Sequence, residues 1–234
     1  MRALAFTLIF FPLLALAEIP LAERRSGYEF MSRETRAMQD DEVTGPAVLT
    51  LLDGEALWRK LGCTSCHANM RGVAARYPAM VDGKLTTLEQ QVRHRNPELA
   101  YESRDLLALT AYVARQSKGM PITIAGNTQS LIESGRALFH RKQGQLNLAC
   151  VQCHDDNWGK KLAGTPVPQA HPTGYPIYRL EWQGVGSLTR RFRNCFTGMR
   201  AEPYAHGAPE LVELELYLMW RARGMPMDAP AVRP

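Results

Sequence analysis

The chemistry this chain can do is concentrated in its five cysteines. Cys150-Val151-Gln152-Cys153-His154 reads C-x-x-C-H, the attachment signature of a c-type haem. Its two thiols are spaced to form thioethers with the porphyrin vinyl groups, and His154 is placed as proximal iron ligand. The signature recurs as Cys63-Thr64-Ser65-Cys66-His67, giving a second attachment with His67 as ligand. A zinc site or a disulfide is the competing use of such a motif. The fifth cysteine, Cys195, lies 41 residues beyond His154 and has no partner left for an intramolecular disulfide. An odd cysteine in an exported protein is reactive, intermolecular or metal-ligated. The plain alternative is a small buried residue.

Cys195 ends the run Arg190-Arg191-Phe192-Arg193-Asn194-Cys195. Arg191 precedes it by four residues, on the same face if the segment is helical. A guanidinium there favours a thiolate and binds a sulfonate or sulfate-like group with two parallel hydrogen bonds. A haem propionate or a surface salt bridge is the other use of Arg191. Each iron also needs a second axial ligand. For the second haem the candidate is Cys195. For the first it is His94, then Met80, although Arg93 and Arg95 flank His94 as on a surface helix. A thiolate on haem iron stabilises the oxidised state and lowers the potential, which suits a site whose sulfur is chemically used. Met219, Met225 and Met227 read as packing, Asp155 and Asp156 as solvated.

Two similar sets of elements position these residues. Residues 50–61, 85–95 and 103–118 have helical spacing of apolar side chains, with Ser103 as an N-cap and Asn96-Pro97 as a stop. Residues 129–141 and 211–223 repeat the first and last of these helices. Gly54-Glu55-Ala56-Leu57-Trp58 matches Gly135-Arg136-Ala137-Leu138-Phe139, and Gly119-Met120-Pro121 matches Gly224-Met225-Pro226 at an offset of 105 residues. The same offset sets Cys195 opposite Gln90 and Met199 opposite His94. Nine residues separate the matched glycine from the first haem cysteine in one unit and 15 in the other, an insertion around Gln143 to Asn147. The reading is an all-α fold of two tandem cytochrome c-like domains, over residues 50–125 and 126–234. The Pro- and Gly-rich segment 160–180 forms a long irregular loop over the second haem, and loops of that length are often functional.

Residues 1–17 have the pattern of a secretory signal peptide: Arg2, an apolar run to Leu14, then Ala15-Leu16-Ala17. A retained membrane anchor is the alternative, but the run is short for a bilayer span. Export to the periplasm agrees with covalent haem. Residues 18–49 form a polar arm that lies on the surface or wraps a partner subunit. A formal charge of +5, without basic clusters interleaved with aromatics, gives no nucleic-acid footprint. It could aid docking to an acidic partner or draw in a small anion.

The stretches C-T-S-C-H, Y-E-S-R-D-L-L-A-L-T-A-Y-V-A-R-Q-S-K-G-M-P, C-V-Q-C-H, R-R-F-R-N-C-F-T-G-M-R-A-E-P and L-E-L-Y-L-M-W-R-A-R-G-M-P together resemble the SoxA family, the dihaem subunit of sulfur-oxidising SoxAX cytochromes. The resemblance spans about residues 50–234. It implies two covalent haem c groups, a small cytochrome partner (SoxX), and L-cysteine S-thiosulfotransferase activity. Thiosulfate is joined oxidatively to a cysteine of the carrier SoxYZ, and electrons leave to cytochrome c. The family's active cysteine, which ligates the second haem and is often a persulfide, maps onto Cys195, and its substrate-binding arginine onto Arg191. Dihaem members usually ligate the first haem with a cysteine in the region matching 90–97. This chain has none there, and His94 is the available replacement. A plain dihaem electron-transfer protein and a thiosulfate dehydrogenase forming tetrathionate are the competing functions.

Overall fold

The computed structural model describes residues 19–234; the signal peptide expected over 1–17 lies outside the described residues. The arm carries α1 (Arg33–Asp40), capped by Ser32. The first unit follows as α2 (Val48–Lys60), β1 (Ala79–Val81), β2 (Lys84–Thr86), α3 (Leu88–Arg95) and α4 (Arg104–Arg115). The second unit opens with α5 (Gln129–His140), α6 (Cys150–His154), β3 (Lys161–Leu162) and β4 (Thr165–Pro166). It continues as β5 (Ile177–Arg179), β6 (Gly184–Gly186), α7 (Leu188–Gly198), α8 (Pro209–Arg221) and β7 (Ala231–Arg233).

Each unit is built on one crossing of two helices, α2 on α4 and α5 on α8. Glycine makes both crossings possible. A Cβ on Gly54 would lie 2.2 Å from the Ala108 carbonyl oxygen, and one on Gly135 would lie 2.0 Å from that of Glu213. In both, the Cβ of a tyrosine (Tyr112, Tyr217) is a further neighbour at 2.8 Å. The glycines that align in sequence therefore do the same work in space. Around the crossings α4 buries Leu106, Leu109 and Val113, and α8 buries Leu211, Leu214 and Leu218. Each such side chain contributes about 1.5–3 kcal/mol when taken from water.

The duplicated ends join the units. Gly119 N–H donates to the Met227 carbonyl (2.7 Å) and Met227 N–H to that of Met120 (2.9 Å). Ile122 N–H donates to the Met225 carbonyl (2.9 Å), Gly224 N–H to that of Ile122 (2.9 Å), and Pro121 faces Pro226. Met225 and Met227 lie in the apolar cluster beneath, with Ile122, Ala114 and Met219.

The all-α expectation needs correction: the fold is mostly helical with minor β structure. β1 and β2 form a hairpin, as do β3 and β4, and β5 lies antiparallel to β6 and parallel to β7. Strands of two or three residues are too short to show period-two alternation. The segment 160–180 is correspondingly more ordered than an irregular loop, since it holds β3, β4 and β5. The arm packs on its own chain. Arg25 N–H donates to Gln169 Oε1 (2.7 Å), and His171 Nδ1 donates to the Arg25 carbonyl (2.9 Å). Met31 is buried, and Gln39 bonds Val232 N–H and Arg233 of β7.

Candidate functional site

Helix α7 carries Arg191 and Cys195. Its start is fixed by Ser187, whose hydroxyl accepts from Arg190 N–H at 3.0 Å. Leu188, Phe192 and Phe196 recur every four residues and are buried in the core of the second unit. That spacing locks the rotation of the helix and puts Arg191 and Cys195 together on the neighbouring face. The far end is held by the insertion at 143–147, where Gln145 and Leu146 N–H groups donate to the Arg200 and Met199 carbonyls. Sequence reading found the insertion but not its task.

Arg191 and Cys195 line a cavity of about 410 Å³ together with Cys150, Cys153 and His154. Phe139, Leu214 and Leu218 give it an apolar wall. The Arg191 guanidinium forms no hydrogen bond or ion pair among the described residues; burial pulls its pKa down, but nearby Cys195, then Tyr175 and Glu181, more than offset this and it ends above its ordinary value. Burial, followed by the proximity of Cys195, raises Cys150 to about 12 and moves Cys153 in the same direction. Such thiols stay protonated, and a thioether in their place would likewise be neutral.

The haem that this motif implies can be tested against His154. Its Nδ1–H donates to the Pro168 carbonyl at 2.7 Å, which fixes the tautomer and leaves Nε2 free, the arrangement of an iron-ligating histidine. Burial holds the ring below the usual histidine pKa, hence neutral, as a ligand must be. The residues fit the group.

The residue after His154 was not read correctly from sequence. Asp155 is not simply solvated: Arg221 grips its two oxygens at 2.5 and 3.1 Å, reaches the Gln169 carbonyl at 3.4 Å and lies 4.8 Å over the Phe139 ring. Arg221 is buried at 6% exposure. It therefore ties the haem motif on α6 to α8 and to the loop behind His154. The pair is 66 residues apart in the chain, and no local spacing announces it.

The first motif sits in a more open setting. Cys63 is half-buried and packs with Met70, Leu88, Val92 and Leu99 against Trp58, Leu109 and Val113. Cys66 and His67 are exposed, the His67 ring lying 6.0 Å from Trp58. This apolar patch beside Cys63 is of the kind a covalently held porphyrin covers. Met80 is 38% exposed and His94 is exposed. The caps correct the alignment of the short helices. Thr87 caps α3 and Ser187 caps α7, each after a two-strand turn. The true offset here is 100; of the extra five residues three lengthen α7 and two its connection to α8. Arg95, rather than Gln90, then stands in the place of Cys195, and His94 in that of Asn194.

A family model described as SoxA/TsdA, cytochrome c domain, matches residues 53–122 and 134–227. The chain is 33% identical to the L-cysteine S-thiosulfotransferase subunit SoxA of Rhodovulum sulfidophilum, over 90% of this chain and 80% of that protein. Identity to the same subunit of Pseudaminobacter salicylatoxidans is also 33%, over 92% and 82%. The crystal structure of SoxXA from P. pantotrophus is similar with a TM-score of 0.86 at 27% identity, covering 90% of this chain and 87% of that one. Two cytochrome c units matched in order, and relatives aligned along most of both chains, mean that this chain belongs to the SoxA family.

Proposed function

We propose that this chain is the thiosulfate-binding subunit of an L-cysteine S-thiosulfotransferase, with Cys195 as the reacting group and Arg191 as anion binder. The observation that supports it best is the unpartnered Arg191 guanidinium, one helical turn from Cys195, in the cavity that also holds Cys150, Cys153 and His154. Two haem c groups would be held by Cys63 and Cys66 with His67, and by Cys150 and Cys153 with His154. Cys195 would be a further iron ligand at the second. His94 is proposed for the first as the imidazole nearest the position equivalent to Cys195. The protein works in the periplasm with a SoxX-like cytochrome subunit and a SoxYZ-like carrier. Its functional units are 50–125 and 126–234, with 18–49 as an arm.

When bound, the haem supplies a one-electron acceptor that passes electrons on to cytochrome c. Arg191 holds the sulfonate end of thiosulfate and turns its outer sulfur toward Cys195. The Cys195 thiolate and thiosulfate form an S–S bond with loss of two electrons, leaving Cys195–S–S–SO₃⁻. The carrier thiolate attacks the outer sulfur of that Cys195 disulfide, takes the S–SO₃⁻ group, and returns Cys195 as thiolate. Apolar walls from Phe139, Leu214 and Leu218 keep the exchange away from water.

The test is turnover of thiosulfate by the haem-loaded protein with its small cytochrome partner and cytochrome c, with and without carrier, the carrier being weighed by mass spectrometry. An S–SO₃⁻ adduct on the carrier cysteine is expected, and Cys195→Ala should lose it with both haems still attached. Since the matching family model also covers TsdA-type chains, tetrathionate made without carrier would favour a dehydrogenase. Electron exchange without a sulfur product would leave only a cytochrome.

A further inference from the structure

One arginine in the cavity beside Cys195 has no part in the reading above. Arg179 ends β5, between Gly184 of β6 and Arg233 of β7, and lines the cavity that holds Arg191 and Cys195. It is buried at 9% exposure. Its Nη2 meets Glu181 Oε2 at 2.9 Å, on a glutamate side chain that is itself 59% exposed, and the guanidinium lies 5.2 Å over the Trp182 ring. These contacts hold the plane of the group but use little of its donor capacity. Its Nε is buried without a hydrogen-bond partner among the described residues. Arg233, the other guanidinium at the cavity, is by contrast consumed by Asp228, Gln39 and the Val232 carbonyl.

Arg179 and Arg191 are close enough to oppose each other. After burial, the charge of Arg191 is the main cause that draws the Arg179 pKa below its ordinary value. Two buried like charges are costly unless something of opposite sign comes between them. The nearest carboxylates do not serve: Glu181 sits at the exposed side of Arg179, and Asp228 is bound to Arg233. Tyr175 adds a neutral donor, since burial pushes its pKa up to about 12 and keeps its hydroxyl protonated beside both arginines and Cys195.

We propose that Arg179 is a second anion-binding residue, paired with Arg191 so that a doubly charged sulfur oxyanion is held by one guanidinium per charge beside Cys195. This rests on the function proposed above and deepens it: the site selects dianions such as thiosulfate over singly charged sulfonates. Arg191 stands on α7 with Cys195, and Arg179 on the sheet, so the two guanidinium groups reach the anion from different elements.

The experiment is steady-state kinetics of the haem-loaded complex with carrier for Arg179→Lys, Arg179→Gln and Glu181→Gln, with sulfate as a dianionic inhibitor. Arg179→Gln should raise KM for thiosulfate at least tenfold and weaken sulfate inhibition in parallel, leaving KM for the carrier within twofold. Arg179→Lys keeps the charge but loses the forked geometry, and should recover part of the loss. Glu181→Gln removes the salt bridge and keeps the guanidinium, so it should leave KM for thiosulfate unchanged. If Arg179→Lys, which keeps the charge and the fold, matches wild type in both KM and sulfate inhibition, Arg179 is not a ligand. An equal loss in Glu181→Gln would make Arg179 a structural anchor and overturn the assignment. Wild-type protein that forms no carrier adduct but binds sulfate in an Arg179-dependent way would sink the proposed function and leave the anion site standing.

Discussion

Replacing Gly135 by alanine sets two forces against each other, and the structure says which wins. Gly135 lies inside α5, where alanine is favoured over glycine by about 1 kcal/mol from helix propensity alone. The added methyl would stand 2.0 Å from the Glu213 carbonyl oxygen, against about 3.4 Å for ordinary contact. That oxygen belongs to the backbone of α8 and cannot rotate away. The helices must part by more than 1 Å, which loosens Leu138 and Phe139 against α8. A gap of that size forfeits a quarter to a half of the dispersion energy of the atoms lining it, and overpacking of this kind costs about 1–3 kcal/mol or more. Net destabilisation of about 1–2 kcal/mol follows, or a fall in Tm of about 2–8 °C for a chain of this size. Thermal melts of the haem-loaded protein would measure it. Gly54→Ala, with its 2.2 Å approach to the Ala108 carbonyl, should behave alike. Gly126→Ala, where a Cβ meets nothing within 4 Å, should leave Tm unchanged or slightly raised. A Gly135→Ala variant as stable as wild type would refute the crossing as the basis of each unit.

Three further outcomes are expected. Burial lowers His171 to about 4, so the folded protein binds fewer protons than the unfolded between pH 6.5 and 4. The stability this confers is complete above pH 6.5 and is lost as pH falls toward 4, by up to about 3 kcal/mol; His171→Gln should flatten that slope in unfolding titrations. Burial, then Glu102 and Glu215, raise Glu89 to about 8, so its effect runs the other way: stability falls as pH rises from 4.5 to 8. Glu89→Gln should be more stable than wild type at pH 9, by at most about 5 kcal/mol, and no different at pH 4. Removing Arg221 as Arg221→Met strands the Asp155 carboxylate beside the haem motif and should cost about 3 kcal/mol, visible in Tm; adding Asp155→Asn should recover part of it.

The haem motifs and the duplication were legible because each rests on local spacing. C-x-x-C-H is contiguous, and the glycines and Gly-Met-Pro ends recur in order. Arg191 and Cys195 could be paired from sequence since four residues in a helix share a face, and the apolar period of Leu188, Phe192 and Phe196 supports that helix. The short-helix alignment went astray because an offset measured on the last helices was carried across a five-residue insertion; the caps Thr87 and Ser187 were the signal that could have corrected it. Asp155 with Arg221, and Arg179 with α7, depend on contacts across the fold between residues with no common period. The strands were hidden by their brevity, and Arg179 sits at the end of one.

The paired Gly-Met-Pro ends have a consequence for how the two haem sites came to differ. Their contacts are reciprocal, each end offering the other nearly what it receives, which is the pattern of an isologous interface in a two-fold dimer. Here a short connection between α4 and α5 makes the pairing intramolecular, so it forms at an effective concentration that free subunits do not reach. A true homodimer must carry every substitution twice. A fused one is freed from that constraint, and its two ends can be tuned separately while the symmetric seam is kept. One short helix has Arg191 and Cys195 lining a cavity; at the equivalent positions the other has Gln91 and Arg95. The seam is thus what allows a single chain to keep two cytochrome units whose short helices carry different side chains.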